Sequence, residues 1–143
     1  MKKILPLVAI LVALYIGWSQ LNHQVDPVAP TGQNDEIFAN AFEQGKSGIQ
    51  VAGEGIVIKV LSDDNDGSPH QRFILRLDSG QTLLIAHNID LAPRVSSLSE
   101  GDGIAFYGVY EWNPKGGVIH WTHHDPNNHH VTGWLQHNGK TYQ

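Results

Sequence analysis

Seven side chains able to bind metal or move protons crowd toward the C-terminus: His120, His123, His124, Asp125, His129, His130 and His137. Imidazole and carboxylate together form the ligand set for zinc and related divalent ions, and no cysteine competes with them. A strand over Val118–His123 puts Ile119 and Trp121 on the inner face and His120 and Thr122 on the outer one. His123 then falls at a barrel mouth beside Asp125. A zinc or manganese site built from His123 or His124, Asp125 and one of His129 and His130 is the metal-binding expectation. The spacing matches neither the HExxH helix nor a zinc-finger pattern, so exposed loop histidines are the alternative.

A second group is the loop Asp63-Asp64-Asn65-Asp66-Gly67-Ser68, rich in the hard oxygen ligands that suit calcium. The calcium loop needs a glutamate at its far end, where this chain has Ile74, so the segment reads as a solvated turn. A third group is a polar face with His70, Arg72 and Arg76 on one strand, His87 closing the next, then Asn88, Asp90 and Arg94. Arg72 and Arg76 share a strand face and are able to clamp a phosphate or carboxylate; pairing with Asp78, Asp90 or Glu111 is the competing use. Aromatic residues concentrate nearby, at Tyr107, Tyr110, Trp112, Trp121 and Trp134. Exposed rings stack on bases or sugars and buried ones form core, which is the expectation for Phe106, Tyr110 and Trp112. The chain has no Gly-x-Ser-x-Gly elbow and no second copy of His120-Trp121-Thr122, which removes two nucleophile chemistries.

The elements that must position these residues are mostly strands. Asn34-Asp35-Glu36 opens a short helix whose Ile37, Phe38, Ala41 and Phe42 recur at helical spacing and which stops at Gly45. Ile49–Leu61 alternates and contains Gly53 and Gly55, the mark of a long bent strand. Arg72–Leu77 and Gln81–His87 form a hairpin around Asp78-Ser79-Gly80. Ala92–Glu100 is a connector long enough for one helical turn. Ile104–Trp112 and Val118–His123 follow, joined by Asn113–Gly117, and Asn138-Gly139 marks a last tight hairpin. This order predicts a mainly β fold: a small five-stranded OB-like barrel with one short N-terminal helix and a C-terminal hairpin. An SH3-like barrel or small sandwich gives a similar string.

Upstream, Lys2 and Lys3 precede an apolar run from Ile4 to Trp18, too short to span a bilayer comfortably and ending in Gly17-Trp18-Ser19. Residues 1–19 are therefore expected to be a signal peptide, residues 20–33 a tether and residues 34–143 the domain, located in the periplasm or secreted. An uncleaved inner-membrane anchor is the alternative, with no membrane insertion of the mature domain and a monomer assumed. The whole chain carries a net charge of −5, and without Lys2 and Lys3 it is more acidic still. That balance disfavours broad phosphate-backbone binding, which needs a basic surface.

The stretches SPHQRFILRLDSGQTLLIAHNIDLAPRV, EGDGIAFYGVYEWNPKGGVIHWTHHDP and GWLQHNGKTYQ resemble a family of small exported bacterial proteins catalogued only as a domain of unknown function. The resemblance implies a short exported protein with one compact domain and carries no activity with it. It draws attention to His70, Arg72, Arg76, His87, Asp90, Arg94, Glu111, Trp112, His120, Trp121, His123 and Asp125. More distantly, the Asp-containing turn, the paired arginines and NIDLAP look like parts of thermonuclease-type OB domains. The expected Pro-Glu of those domains is Pro93-Arg94 here. Three functions follow as expectations. The first is a binding module for an oligomeric or anionic envelope ligand (a glycan or nucleic acid) held by His70, Arg72, Arg76, His87, Asp90, Arg94, Tyr107, Glu111, His120 and Trp121. The others are a metal-dependent phosphodiesterase or nuclease and periplasmic metal binding.

Overall fold

The computed structural model describes residues 31–143, with side chains from residue 34 onward. The expected export segment and most of the tether lie outside the described residues. Helix α1 covers Thr31–Glu43, followed by β1 (Ile49–Val60), β2 (His70–Arg76), β3 (Thr82–Asn88), β4 (Gly103–Glu111), β5 (Val118–His120), β6 (Trp134–His137) and β7 (Lys140–Tyr142). Among the described residues no helix is long and apolar enough to cross a membrane.

The fold closes because β1 is long enough to serve two neighbours. Its first part, Ile49–Ile56, pairs with β4, and Ile56–Val60 pairs with β2. Gly55 allows the turnover between them, since a Cβ there would press on the Arg76 carbonyl. The sheet runs β1-β2-β3-β5-β4 and returns to β1, with β3 and β5 parallel and the other pairs antiparallel. This is the five-stranded barrel of the OB type expected from the strand string, and closure leaves those strands no open edge. The hairpin β6–β7 adds to it through Asn138-Gly139, both at positive φ (50° and 75°) as a type I′ turn requires.

The interior is set by alternation. Val51 and Val57 on β1, Phe73 and Leu75 on β2, Leu83 and Ile85 on β3, Ile104, Phe106 and Tyr110 on β4, and Ile119 on β5 are all buried. One barrel end is plugged by α1, where Phe38 packs on Phe106 at 5.8 Å between ring centroids. The helix is held there by Asp35 Oδ2, which accepts from the Ser79 amide at 2.7 Å, and by Gln81, which donates to the Phe38 and Gly116 carbonyls.

Several expectations change in detail. Helix α1 begins at Thr31 rather than Asn34, so Asp35 and Glu36 fall beyond its first turn; Pro30 precedes it in sequence, and proline suits a helix start. Ile37 is exposed, and only Phe38 and Ala41 of the apolar stripe enter the core. The connector Ala92–Glu100 forms turns without helix. Gln71 fixes it instead, its amide donating to the Val95 carbonyl (3.0 Å) and accepting from the Val95 amide (2.8 Å). Trp112 does not join Phe106 and Tyr110 in the core: it is 42% exposed, stacks on Phe42 and donates its indole N–H to the Phe42 carbonyl.

The largest departure lies in the last barrel strand. β5 stops at His120 because Trp121 turns to φ 54°, a left-handed conformation that ends an extended run. β6 then continues along the same edge of β4 where β5 stopped, Val109 opposing His120 and Tyr107 opposing Trp134. Residues 121–133 are therefore an excursion looped out of one interrupted strand. Its two ends meet at Gly133, where a Cβ would overlap the Trp121 carbonyl oxygen and crowd that of Tyr107. Gly133→Ala is expected to cost about 1–3 kcal/mol, because only backbone movement relieves the overlap. Urea unfolding of the variant beside the parent checks this; an unchanged midpoint would show that the loop ends are not so tightly joined.

Candidate functional site

The outer face of β4 carries Ala105, Tyr107, Val109 and Glu111, opposite in alternation to the core residues Ile104, Phe106 and Tyr110; of the outer four only Val109 is buried. The registers on either side give three cross-sheet rows. Glu54–Ala105–Gln136 forms the first, Ala52–Tyr107–Trp134 the second and Gln50–Val109–His120 the third. The middle row holds two half-exposed rings with centroids 6.2 Å apart, next to the small side chain of Ala52. Both rings are partly exposed, and their neighbours across the strands and along β4 include the small side chains of Ala52 and Ala105. On one side of the pair lie the exposed Glu54 and Gln136. On the other, His120 Nε2 approaches Glu111 Oε1 at 3.3 Å, both groups half-exposed.

The aromatic surface continues from His120 into the excursion. The Trp121 ring lies 6.4 Å from His120 and 5.4 Å from His123, and stacks on His130 at 4.4 Å with an interplanar angle of 9°. Trp121 is therefore a half-buried element of a histidine–aromatic stack, not the inward core residue expected from simple alternation.

Of the five residues expected to ligate metal, four have side-chain hydrogen bonds within the protein. Asp125 accepts from the Asn127 amide (2.9 Å) and the His129 amide (2.8 Å), one on each oxygen, and is buried. These amides hold its carboxyl below the usual range, the Asn127 bond most of all. His123 is buried and its Nδ1 donates to the His124 carbonyl. His124 Nδ1 is bonded to the Thr132 hydroxyl, His130 Nδ1 donates to the Val131 carbonyl, and His129 is exposed. No group of three or more histidine, aspartate or glutamate side chains converges as a metal site among the described residues. The acidic residue at the centre of the expected set acts as the organiser of a turn.

The arginine face is largely engaged as well. Arg94 grips Asp63 through its two terminal guanidinium nitrogens, which holds the Asp63 carboxyl below its ordinary value. Arg72 donates Nε–H to the Ser62 carbonyl (3.1 Å), and His70 Nδ1 donates to the Ser68 carbonyl (2.7 Å), so both tie down the loop between β1 and β2. Arg76 is exposed on the same outer face as Arg72, opposite Thr82 of β3 and Ile56 of β1. Asp90 is exposed in a turn formed by the Asn88 side chain, which accepts the Asp90 amide. His87 belongs to no outer face. It follows Leu83 and Ile85 in alternation, is fully buried, donates Nε2–H to the Pro93 carbonyl (3.0 Å) and accepts at Nδ1 from the Thr122 hydroxyl (2.8 Å). Burial pushes its pKa down to about 4.

Of the sequence-derived set, the fold thus gathers Tyr107, Glu111, His120 and Trp121 on one side of the barrel. It adds Trp134, Glu54 and Gln136, which reach the site only through the pairing of β4 with β1 and β6. No curated protein matches the chain. The family model described as "Protein of unknown function (DUF3465)" matches residues 22–143, and the chain belongs to that family.

Proposed function

We propose that this protein is an exported OB-type binding module for an oligosaccharide chain, laid across the outer face of β1, β4 and β6. The observation that carries the reading is the Tyr107–Trp134 pair, two adjacent half-exposed rings in a cross-strand row. A sugar ring offers an apolar face of axial C–H groups to an aromatic plane and a rim of hydroxyls to carboxylates and amides. Glu54, Gln136, Glu111 and His120 supply such partners on both sides of the rings. A nucleic acid suits this surface less well. The chain is acidic, the platform is flanked by carboxylates, and Arg72 and Arg94 are bonded to the protein itself. The N-terminal basic and apolar segment supports a place outside the cytoplasm, where envelope glycans are the abundant oligomers.

Trp134→Ala and Tyr107→Ala are each expected to weaken binding of N-acetylglucosamine oligomers by at least about tenfold, as loss of an aromatic anchor does at a binding surface. Isothermal titration of the full chain and both variants measures this. Variants binding as tightly as the parent would remove the platform from the site.

A further inference from the structure

A second feature borders the platform. Glu54, Ile56, Asp78, Ala105, Gln136 and Asn138 line a cleft of about 450 Å³ between β1, β4, the turn after β2 and the tip of the β6–β7 hairpin. Ala105 and Gln136 belong to the row beside Tyr107 and Trp134, so cleft and platform are contiguous along β4 and β6. The β1–β2 ladder ends at Ile56 and Arg76, and beyond it Glu54 on β1 and Asp78 in the turn after β2 both line the cleft. Neither carboxylate forms an ion pair or side-chain hydrogen bond among the described residues, and no cation stands among the walls. The nearest cationic position in the ladder, Arg76, is exposed one row away. A cleft walled by one sign of charge concentrates its field on whatever enters it. Among the described residues no third acidic or histidine group completes a metal-ligand set there. A charged group that two carboxylates can hold without a full coordination shell is an ammonium with three N–H donors.

Resting on the oligosaccharide reading, we infer that this cleft is a subsite for a sugar bearing a free amine, so that the preferred ligand is a hexosamine oligomer with unacetylated positions. The platform holds one sugar by its ring face, and the cleft takes the neighbouring ammonium between Glu54 and Asp78, with Gln136 and Asn138 receiving hydroxyls. N-acetylation removes the charge and leaves the ring face unaltered, so the two parts of the site are separable.

The test is titration of the full chain with glucosamine and N-acetylglucosamine oligomers of equal length, alongside Glu54→Gln, Asp78→Asn and Trp134→Ala. The glucosamine oligomer is expected to bind the parent at least about tenfold more tightly, the effect of one charge-assisted hydrogen bond. Asp78→Asn, isosteric and at the surface, is expected to erase that preference while leaving binding of the acetylated oligomer unchanged, whereas Glu54→Gln, at a residue shared with the platform, is expected to erase the preference and weaken both oligomers. Equal or tighter binding of the acetylated oligomer by the parent overturns the amine subsite and leaves the platform standing. Absence of binding by both oligomers overturns the platform reading and the subsite with it.

Discussion

Acidification from pH 7 to pH 4 is expected to remove about 3 kcal/mol of stability through one side chain, His87. In the unfolded chain this imidazole takes a proton near pH 6.5; in the fold, where it is fully buried, it does so only at about 4. Between those values the unfolded state holds the extra proton and the native state does not. The contribution is therefore complete above pH 6.5, declines as the pH falls and is gone below 4. Burial is the main cause, reinforced by the neighbouring His123, His70 and Arg94. The Pro93 carbonyl accepts from Nε2 and works the other way. Asp63, Asp102 and Asp125, all held below their ordinary range by hydrogen bonds, add a further loss at still lower pH. Because His87 bridges Thr122 in the excursion to Pro93 in the connector, the same protonation strains both loops at that barrel end. His87→Gln retains a donor for Pro93 and an acceptor for Thr122 but does not titrate. Urea midpoints from pH 7 to pH 4 should fall steeply for the parent and flatten for the variant. Parallel slopes would mean that another group governs the acid limb.

The second large effect is in the core. Phe106→Ala is expected to destabilise the fold by about 3–5 kcal/mol, the cost of emptying a fully packed aromatic site. Phe106 has no exposed surface, and its ring meets Phe38 of α1 on one side and the bare backbone of Gly53 on another. A Cβ at Gly53 would press into both rings, which explains the glycine in the middle of β1. Removing the ring therefore loosens α1, β1 and β4 together, and relaxation cannot refill the space without moving the helix. Chemical denaturation with a two-state fit measures the loss; a change below about 1 kcal/mol would show that α1 is not part of the cooperative core.

The barrel was legible because its signals are local. Asn138-Gly139 and Asp78-Ser79-Gly80 mark turns by residue type, and the alternation of Phe73 and Leu75, or of Leu83 and Ile85, gives strands without knowledge of their partners. That same alternation carries on to His87, so its burial was available in the pattern and was obscured by its polarity. The interruption of β5 was not available. It depends on Trp121 adopting a positive φ and on Gly133 fitting against the Trp121 carbonyl, a close approach between positions separated by the whole excursion. In the histidine cluster, residue type reveals donors but not their orientation. Only the fold shows Asp125 turned onto the amides of Asn127 and His129. In the same way, Arg94 meets Asp63 across 31 residues, a pairing no local pattern contains. Tyr107 could be noticed as an aromatic, but its partnership with Trp134 and the flanking Glu54 and Gln136 arises from strand order alone.

The most direct test of the central claim is a calorimetric titration of the full chain with N-acetylglucosamine oligomers, repeated with Trp134→Ala. Saturable binding by the parent that weakens at least about tenfold in the variant is the expected result. No binding by the parent, or binding indifferent to Trp134, would contradict an oligosaccharide site on the outer face of β1, β4 and β6.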